Sequence, residues 1–128
     1  MRALIRWSLP VLLGLNGLFM LVAPYPWYGM VPGVTETGPF NPHFVRDIGA
    51  AYIACAVGLG WWAARRGGRV GAVLPIAVFL GIHMGVHIVE SLIGGHPVSD
   101  VARDFVGVYL PALAAIWIVW RGLRSQEA

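Results

Sequence analysis

The sequence predicts an all-α fold: a bundle of four transmembrane helices that forms one integral membrane domain over residues 1–128. Three features predict it, namely the composition, four apolar runs of spanning length, and arginines grouped between those runs. Hydrophobic residues make up 58% of the 128 residues and charged residues 12%. That charged share is roughly half the share of a soluble domain. A bilayer is therefore a better solvent for this chain than water.

The apolar runs cover residues 7–23, 44–64, 70–93 and 105–120. Each approaches the ~20 residues that a helix needs to cross ~30 Å of hydrocarbon. The first run has the basic start of a signal peptide, but Pro24 makes a poor cleavage setting, so we expect the run to be retained. Residues 24–43 contain five Pro and three Gly, which predicts an ordered, non-helical cap between the first two spans.

The arginines set the predicted orientation. All nine basic residues are Arg, and seven of them lie at the ends that four antiparallel spans place on one side: Arg2, Arg6, Arg65, Arg66, Arg69, Arg121 and Arg124. The positive-inside rule then places both termini in the cytoplasm. Short Arg groups that alternate with apolar spans do not form the single basic face of a nucleic-acid-binding protein. The expected partners are membrane lipids and a second membrane-protein chain, either a copy of this one or another protein.

A short motif occurs twice. Arg46 and Asp47 are followed by Tyr52, and Arg103 and Asp104 by Tyr109, with four residues between Asp and Tyr in both cases. The agreement suggests two antiparallel helical hairpins related by a pseudo-twofold axis along the membrane normal. The common use of Asp near a helix N-terminus is an alternative explanation.

The candidate site lies in the third span. His83, His87 and Glu90 fall within a ~60° wedge of one helix face, and ionisable groups at membrane depth are costly enough to indicate a function. We take these three residues as candidate metal ligands, with His87 and Glu90 as the primary ligands or proton carriers. His43, Asp47 and His87 are the candidate cofactor-binding residues, and Asp47 is expected to orient an imidazole.

Four interpretations of these residues remain open. The imidazoles and the carboxylate suit a transition metal such as zinc, iron or copper. A haem would need a further ligand such as His43, because two His four residues apart cannot approach one haem from opposite faces. A quinone or lipid headgroup could take hydrogen bonds from His and Tyr. Alternatively the groups satisfy one another and hold the bundle together, in a non-catalytic accessory subunit of a larger membrane complex. The residues do not establish whether the protein is an enzyme.

The arrangement resembles the DoxX-like superfamily of small four-helix bacterial membrane proteins. The similar features are a first span with Gly14 and Gly17, a Pro-rich segment after it, and an Arg-Asp-Ile-Gly start to the second span at Arg46 to Gly49. The resemblance implies a location in the bacterial inner membrane. In some relatives it also implies an association with quinone-linked redox systems. It does not account for His83, His87 and Glu90.

Overall fold

A computed structural model describes residues 2–65 and 70–124, with side chains from residue 6 onward. Over those residues the protein is all-helical, and no strand occurs among them. The all-α prediction is therefore confirmed. The chain divides between Ala64 and Arg65 into two compact units, which we call the first hairpin and the second hairpin and describe separately.

The first hairpin consists of helix α1 (Arg2–Val22), the short helix α2 (Pro24–Met30) and helix α3 (Pro42–Ala64). Helices α1 and α3 cross where Gly17 faces Gly49. A Cβ on Gly17 would lie 2.7 Å from the Gly49 carbonyl oxygen, and a Cβ on Gly49 would lie 2.8 Å from the Met20 Cβ. Only glycine permits so close an approach of two helix backbones, as in other small-residue helix crossings.

The prediction of a non-helical cap is wrong for residues 24–30, which form helix α2. Pro24 occupies the first turn, where its missing N–H and fixed φ are compatible with a helix. The axis turns by 119° between α1 and α2. The Trp27 indole nitrogen donates to the Asn16 side-chain oxygen at 2.9 Å, which fixes α2 against α1.

The rest of that segment is ordered without a long helix, as predicted. A 3₁₀ turn covers Val34–Glu36. The Tyr28 hydroxyl donates to the Gly38 carbonyl at 2.6 Å. The ring of Phe40 packs against Tyr25 and Tyr28, with centroid distances of 5.4 and 5.2 Å. Side-chain contacts therefore hold this connection in one conformation although little of it is helical.

The first described elements of the second hairpin are a 3₁₀ turn at Val70–Ala72 and helix α4 (Leu74–Gly94). Gly95 ends α4 with a φ of 78°, the left-handed conformation common after helix C-termini. Helix α5 (Pro97–Asp104), a π-helical turn (Phe105–Tyr109) and helix α6 (Leu110–Arg124) follow. The last helical run therefore starts at Pro97, before the apolar run of residues 105–120, because Pro97 fits a first turn.

Among the described residues, three helices are long and apolar enough to cross a membrane: Pro42–Ala64, Val70–Gly94 and Pro97–Arg124, with 23, 25 and 28 residues. This agrees with a membrane protein. The pair formed by α1 and α2 passes the same test only if the bent pair counts as one span. A fourth crossing therefore stays a prediction.

Candidate functional site

Helix α4 brings two of its predicted site residues into direct contact. The imidazole rings of His83 and His87 meet edge to face, with centroids 4.8 Å apart. On its other side the His83 ring lies parallel to the ring of Phe79, at a centroid distance of 6.2 Å. Glu90 is exposed and forms no hydrogen bond or ion pair with any residue of the described ranges. The helix thus pairs the two imidazoles and leaves the carboxylate apart.

The partner of His87 comes from helix α5. The Nδ1 atom of His87 lies 2.8 Å from an Asp104 carboxylate oxygen. The Asp104 side chain is only 8% exposed and the His87 side chain 22%. A buried carboxylate is costly unless it is well paired, and here both of its oxygens accept hydrogen bonds. Asp104 is therefore the central acceptor of the site.

Arg103 provides the compensating charge. Its Nε donates to one Asp104 oxygen at 2.8 Å, and its Nη2 donates to the other at 3.2 Å. A further contact of 3.2 Å joins Arg103 to Asp100, one turn earlier on the same helix. A guanidinium that holds one carboxylate through two donors fixes its orientation as well as its charge. The Asp104 carboxylate is thus held in place for its contact with His87.

This geometry determines which nitrogen of His87 is available for chemistry. An ionised carboxylate only accepts hydrogen bonds, so the Nδ1 atom of His87 carries the proton that Asp104 accepts. In the neutral ring the Nε2 atom then bears a lone pair. Such a nitrogen can accept a hydrogen bond from a hydroxyl group or coordinate a metal.

Local structure supports the same arrangement. The Ser91 hydroxyl donates to the His87 carbonyl at 2.7 Å, and Ser91 is almost fully buried. A serine bonded to the carbonyl four residues earlier can bend a helix slightly. The backbone at His87 is therefore tied to the following turn, which adds to the positioning of its ring.

The π-helical turn follows Asp104 directly. The Leu110 N–H donates to the Phe105 carbonyl, five residues earlier, and such wide turns often mark functional positions. A π turn advances by less than the ~100° per residue of an α-helix. It therefore rotates Tyr109 back toward the face that carries Asp104, whereas a regular helix would place the two residues ~140° apart. Tyr109 is 7% exposed, and its hydroxyl has no hydrogen-bond partner among the described residues.

The predicted residues of the first hairpin, His43 and Asp47, form a more exposed pair. The Nε2 atom of His43 lies 3.4 Å from an Asp47 oxygen, with side-chain exposures of 87% and 61%. Asn41 caps this end of α3, since its side-chain oxygen accepts from the backbone N–H groups of His43 and Phe44 at 3.1 Å each. Neither His43 nor Asp47 has the enclosure that His87 has. The orienting role predicted for Asp47 is filled at His87 by Asp104.

The described residues do not contain a complete set of ligands for a metal ion. No group of three or more His, Cys, Asp or Glu residues that could hold a metal ion occurs within residues 2–65 and 70–124. The assignment of His83, His87 and Glu90 as metal ligands stays a prediction. Among the described residues, the site offers one imidazole that a carboxylate orients.

Asp104 enters the sequence-based predictions only as part of the repeated Arg-Asp motif, without a pairing with His87, and Ser91 is not among the predicted site residues. The sequence signal that could have pointed to Asp104 is the arginine directly before it, Arg103. Comparison with known proteins adds no further signal: no family model matches the sequence, and searches of curated proteins and of solved structures find no similar chain.

Proposed function

We propose that this chain is a four-pass protein of the bacterial inner membrane whose second hairpin binds a quinol-type ligand at His87. The single observation that carries the proposal is the 2.8 Å contact between His87 and the buried carboxylate of Asp104. It leaves the Nε2 lone pair of His87 to accept a hydrogen bond from a phenolic hydroxyl. The resemblance to DoxX-like proteins, some of which are associated with quinone-linked redox systems, supports the same choice of ligand.

The length of the last helical run supports a position near one membrane border. Asp104 and Arg124 are separated by 20 residues of helix, which corresponds to ~30 Å, the thickness of the hydrocarbon core. If Arg124 lies at one border, Asp104 and its partner His87 lie near the other. A quinol headgroup is polar and its tail apolar, so this border is the depth at which such a molecule would present its hydroxyl group.

The topology of the proposal rests on the arginines. The bent pair of α1 and α2 is taken as one crossing, which gives four with α3, α4 and the last helical run. Seven of nine Arg then fall on the side of both termini, so the positive-inside rule supports cytoplasmic termini and a site near the periplasmic face. The repeated Arg-Asp motif supports two hairpins of related topology.

A second candidate function is metal binding. The pair of His87 and Asp104 is also the arrangement in which a carboxylate orients a metal-bound imidazole. His83 and Glu90 would have to supply further ligands from the same helix. Glu90 is exposed in the structure, which favours the quinol proposal over the metal. The alternative from another functional class is a non-catalytic accessory subunit of a larger membrane complex. In that case the same polar network only stabilises the fold.

The test is to quantify ligands that remain with the protein after gentle purification from its native membrane. Quinones and quinols extracted from the wild type are measured by mass spectrometry per mole of protein, together with bound metals and a visible absorption spectrum. We expect about one quinone-type molecule per chain and at least a tenfold loss in His87→Ala. The control is His96→Ala, because His96 is exposed and its carbonyl, not its ring, makes the local hydrogen bonds.

Each outcome decides between the candidates. A metal or haem band that is lost in His87→Ala, with no quinone in the wild type, would replace the quinol by that cofactor. A wild type without any retained ligand, together with a lower unfolding temperature in His87→Ala, would favour the accessory subunit. If His87→Ala does not fold, His87→Gln keeps a polar side chain and carries the same comparison.

A further inference from the structure

A second feature, away from the His87 site, lies on helix α6. One face of this helix forms an open groove of about 580 Å³, a volume within the range of roughly 300–1,000 Å³ of small-molecule sites. The residues that line it are apolar or aromatic: Leu110, Leu113, Ala114, Ile116, Trp117 and Trp120. Because the groove extends from Leu110 to Trp120, a rise of ten residues, it is ~15 Å long along the helix axis. Its shape and chemistry fit a hydrocarbon chain.

Charge is concentrated at one end of this groove. The guanidinium of Arg121 lies 5.1 Å from the ring centroid of Trp117, and that of Arg124 lies 4.2 Å from the ring centroid of Trp120. Both tryptophans line the groove. The N–H groups of a guanidinium lie in its own plane. When the guanidinium stacks on an aromatic face, these groups point outward past the ring and can donate to a phosphate. Within residues 2–65 and 70–124, no carboxylate pairs with either arginine.

We propose that this face of α6 is a binding site for an anionic phospholipid, with one acyl chain in the apolar groove and the phosphate between Arg121 and Arg124. Charge complementarity identifies the occupant, because two stacked arginines at the border of a membrane span select a negative headgroup over a zwitterionic one. Tryptophan at this position also suits the headgroup region of a bilayer. The proposal requires only that the last helical run is inserted in a membrane, and it does not rest on the ligand at His87.

The experiment counts the lipids that stay bound to the full-length chain. Protein freed of lipid in detergent is mixed with equal amounts of dioleoyl phosphatidylglycerol and dioleoyl phosphatidylcholine, and native mass spectrometry reports each lipid on the protein. We expect phosphatidylglycerol to exceed phosphatidylcholine at least fivefold on the wild type. In the double variant Arg121→Gln, Arg124→Gln that preference should fall at least fivefold.

The control removes one charge elsewhere, as each single variant of the two arginines does. Arg46→Gln is suitable because Arg46 is exposed and donates to the Leu21 carbonyl of the first hairpin. We expect it to keep the preference for phosphatidylglycerol. An unchanged preference in the double variant, or an equal loss in Arg46→Gln, would overturn the proposal. If the double variant aggregates, Arg121→Gln and Arg124→Gln are measured singly, and each should lower the preference at least twofold.

Discussion

The two hairpins contain the same Arg-Asp motif but use its carboxylate in different ways. In the first hairpin Asp47 is 61% exposed and lies 3.4 Å from an exposed His43 on its own helix. In the second, Asp104 is 8% exposed and lies 2.8 Å from His87 of the neighbouring helix. The difference comes from the partner helix, since α4 presents an imidazole at the right level. The repeated motif thus determines where the aspartate lies on its helix, whereas the burial and the partner of that aspartate depend on the neighbouring helix.

The hairpins also differ in how their helices approach each other. The first is held by the crossing of Gly17 and Gly49, where backbone atoms touch. In the second, a Cβ on Gly81 would lie 3.8 Å from Ile116, which is ordinary contact. The close approach there lies farther along α6, where a Cβ on Gly122 would meet Val70 at 2.5 Å. Close backbone packing therefore dominates the centre of the first hairpin, and a polar network dominates one end of the second.

The largest expected effect comes from removal of the buried carboxylate. Asp104→Ala leaves Arg103 and His87 without their shared acceptor in an enclosed site, so we expect a loss of ~3 kcal/mol in the free energy of unfolding. Asp47→Ala, the matched change in the first hairpin, should alter stability by about 0.5 kcal/mol or less, because its pair is exposed. Unfolding by denaturant in detergent micelles measures both.

Equal effects of the two substitutions would remove the distinction between the hairpins. A control at the same site is Asp104→Asn, which keeps an acceptor for Arg103 but lacks the charge. We expect its stability to lie between those of the wild type and Asp104→Ala.

The second prediction concerns the helix crossing. Gly17→Ala places a methyl group 2.7 Å from a backbone oxygen that cannot move independently, so we expect a cost of about 1–3 kcal/mol from overpacking. Gly14→Ala, one turn earlier on α1, meets Ala56 at 3.5 Å, an ordinary contact. There the better helix propensity of alanine should stabilise the protein by up to ~1 kcal/mol.

The sign of the difference between these two variants is the decisive result, read from the same unfolding measurements. A destabilised Gly14→Ala together with a neutral Gly17→Ala would contradict the crossing point. The matched substitution in the second hairpin, Gly81→Ala, has room for its methyl group and should be neutral or stabilising.

The sequence was sufficient to predict the all-helical class and the presence of helices long enough to span a membrane, because both follow from composition and apolar run length. It missed the helix that starts at Pro24, because the prolines of residues 24–43 were read as helix breakers although proline is well tolerated in a first turn. The pairing of His87 with Asp104 could not be derived from helix periodicity. That contact depends on how α4 and α5 meet, which a single-helix projection does not contain.

The π-helical turn explains a further difference between prediction and structure. On a regular α-helix, Tyr109 and Tyr52 both lie ~140° from their aspartates, so helix periodicity alone predicts that both face other neighbours. Helix α3 is regular over that stretch, whereas Phe105–Tyr109 form a π turn. One additional residue in a helical turn has no clear signature in hydrophobic periodicity. The sequence therefore contains the motif in both hairpins, but it does not predict how Asp104 and Tyr109 are oriented relative to each other in the second.

The smallest expected effect tests the hydroxyl of Tyr109. This group is buried and lacks a hydrogen-bond partner among the described residues, so its removal in Tyr109→Phe should leave stability unchanged or raise it by up to ~1 kcal/mol. In the first hairpin Tyr28 donates to Gly38 at 2.6 Å, so Tyr28→Phe should cost ~1 kcal/mol. A loss of 1 kcal/mol or more in Tyr109→Phe would show instead that a bound water or ligand satisfies the hydroxyl. Repeating the measurement with and without added quinol separates these two occupants, because only a ligand contact makes the cost depend on quinol.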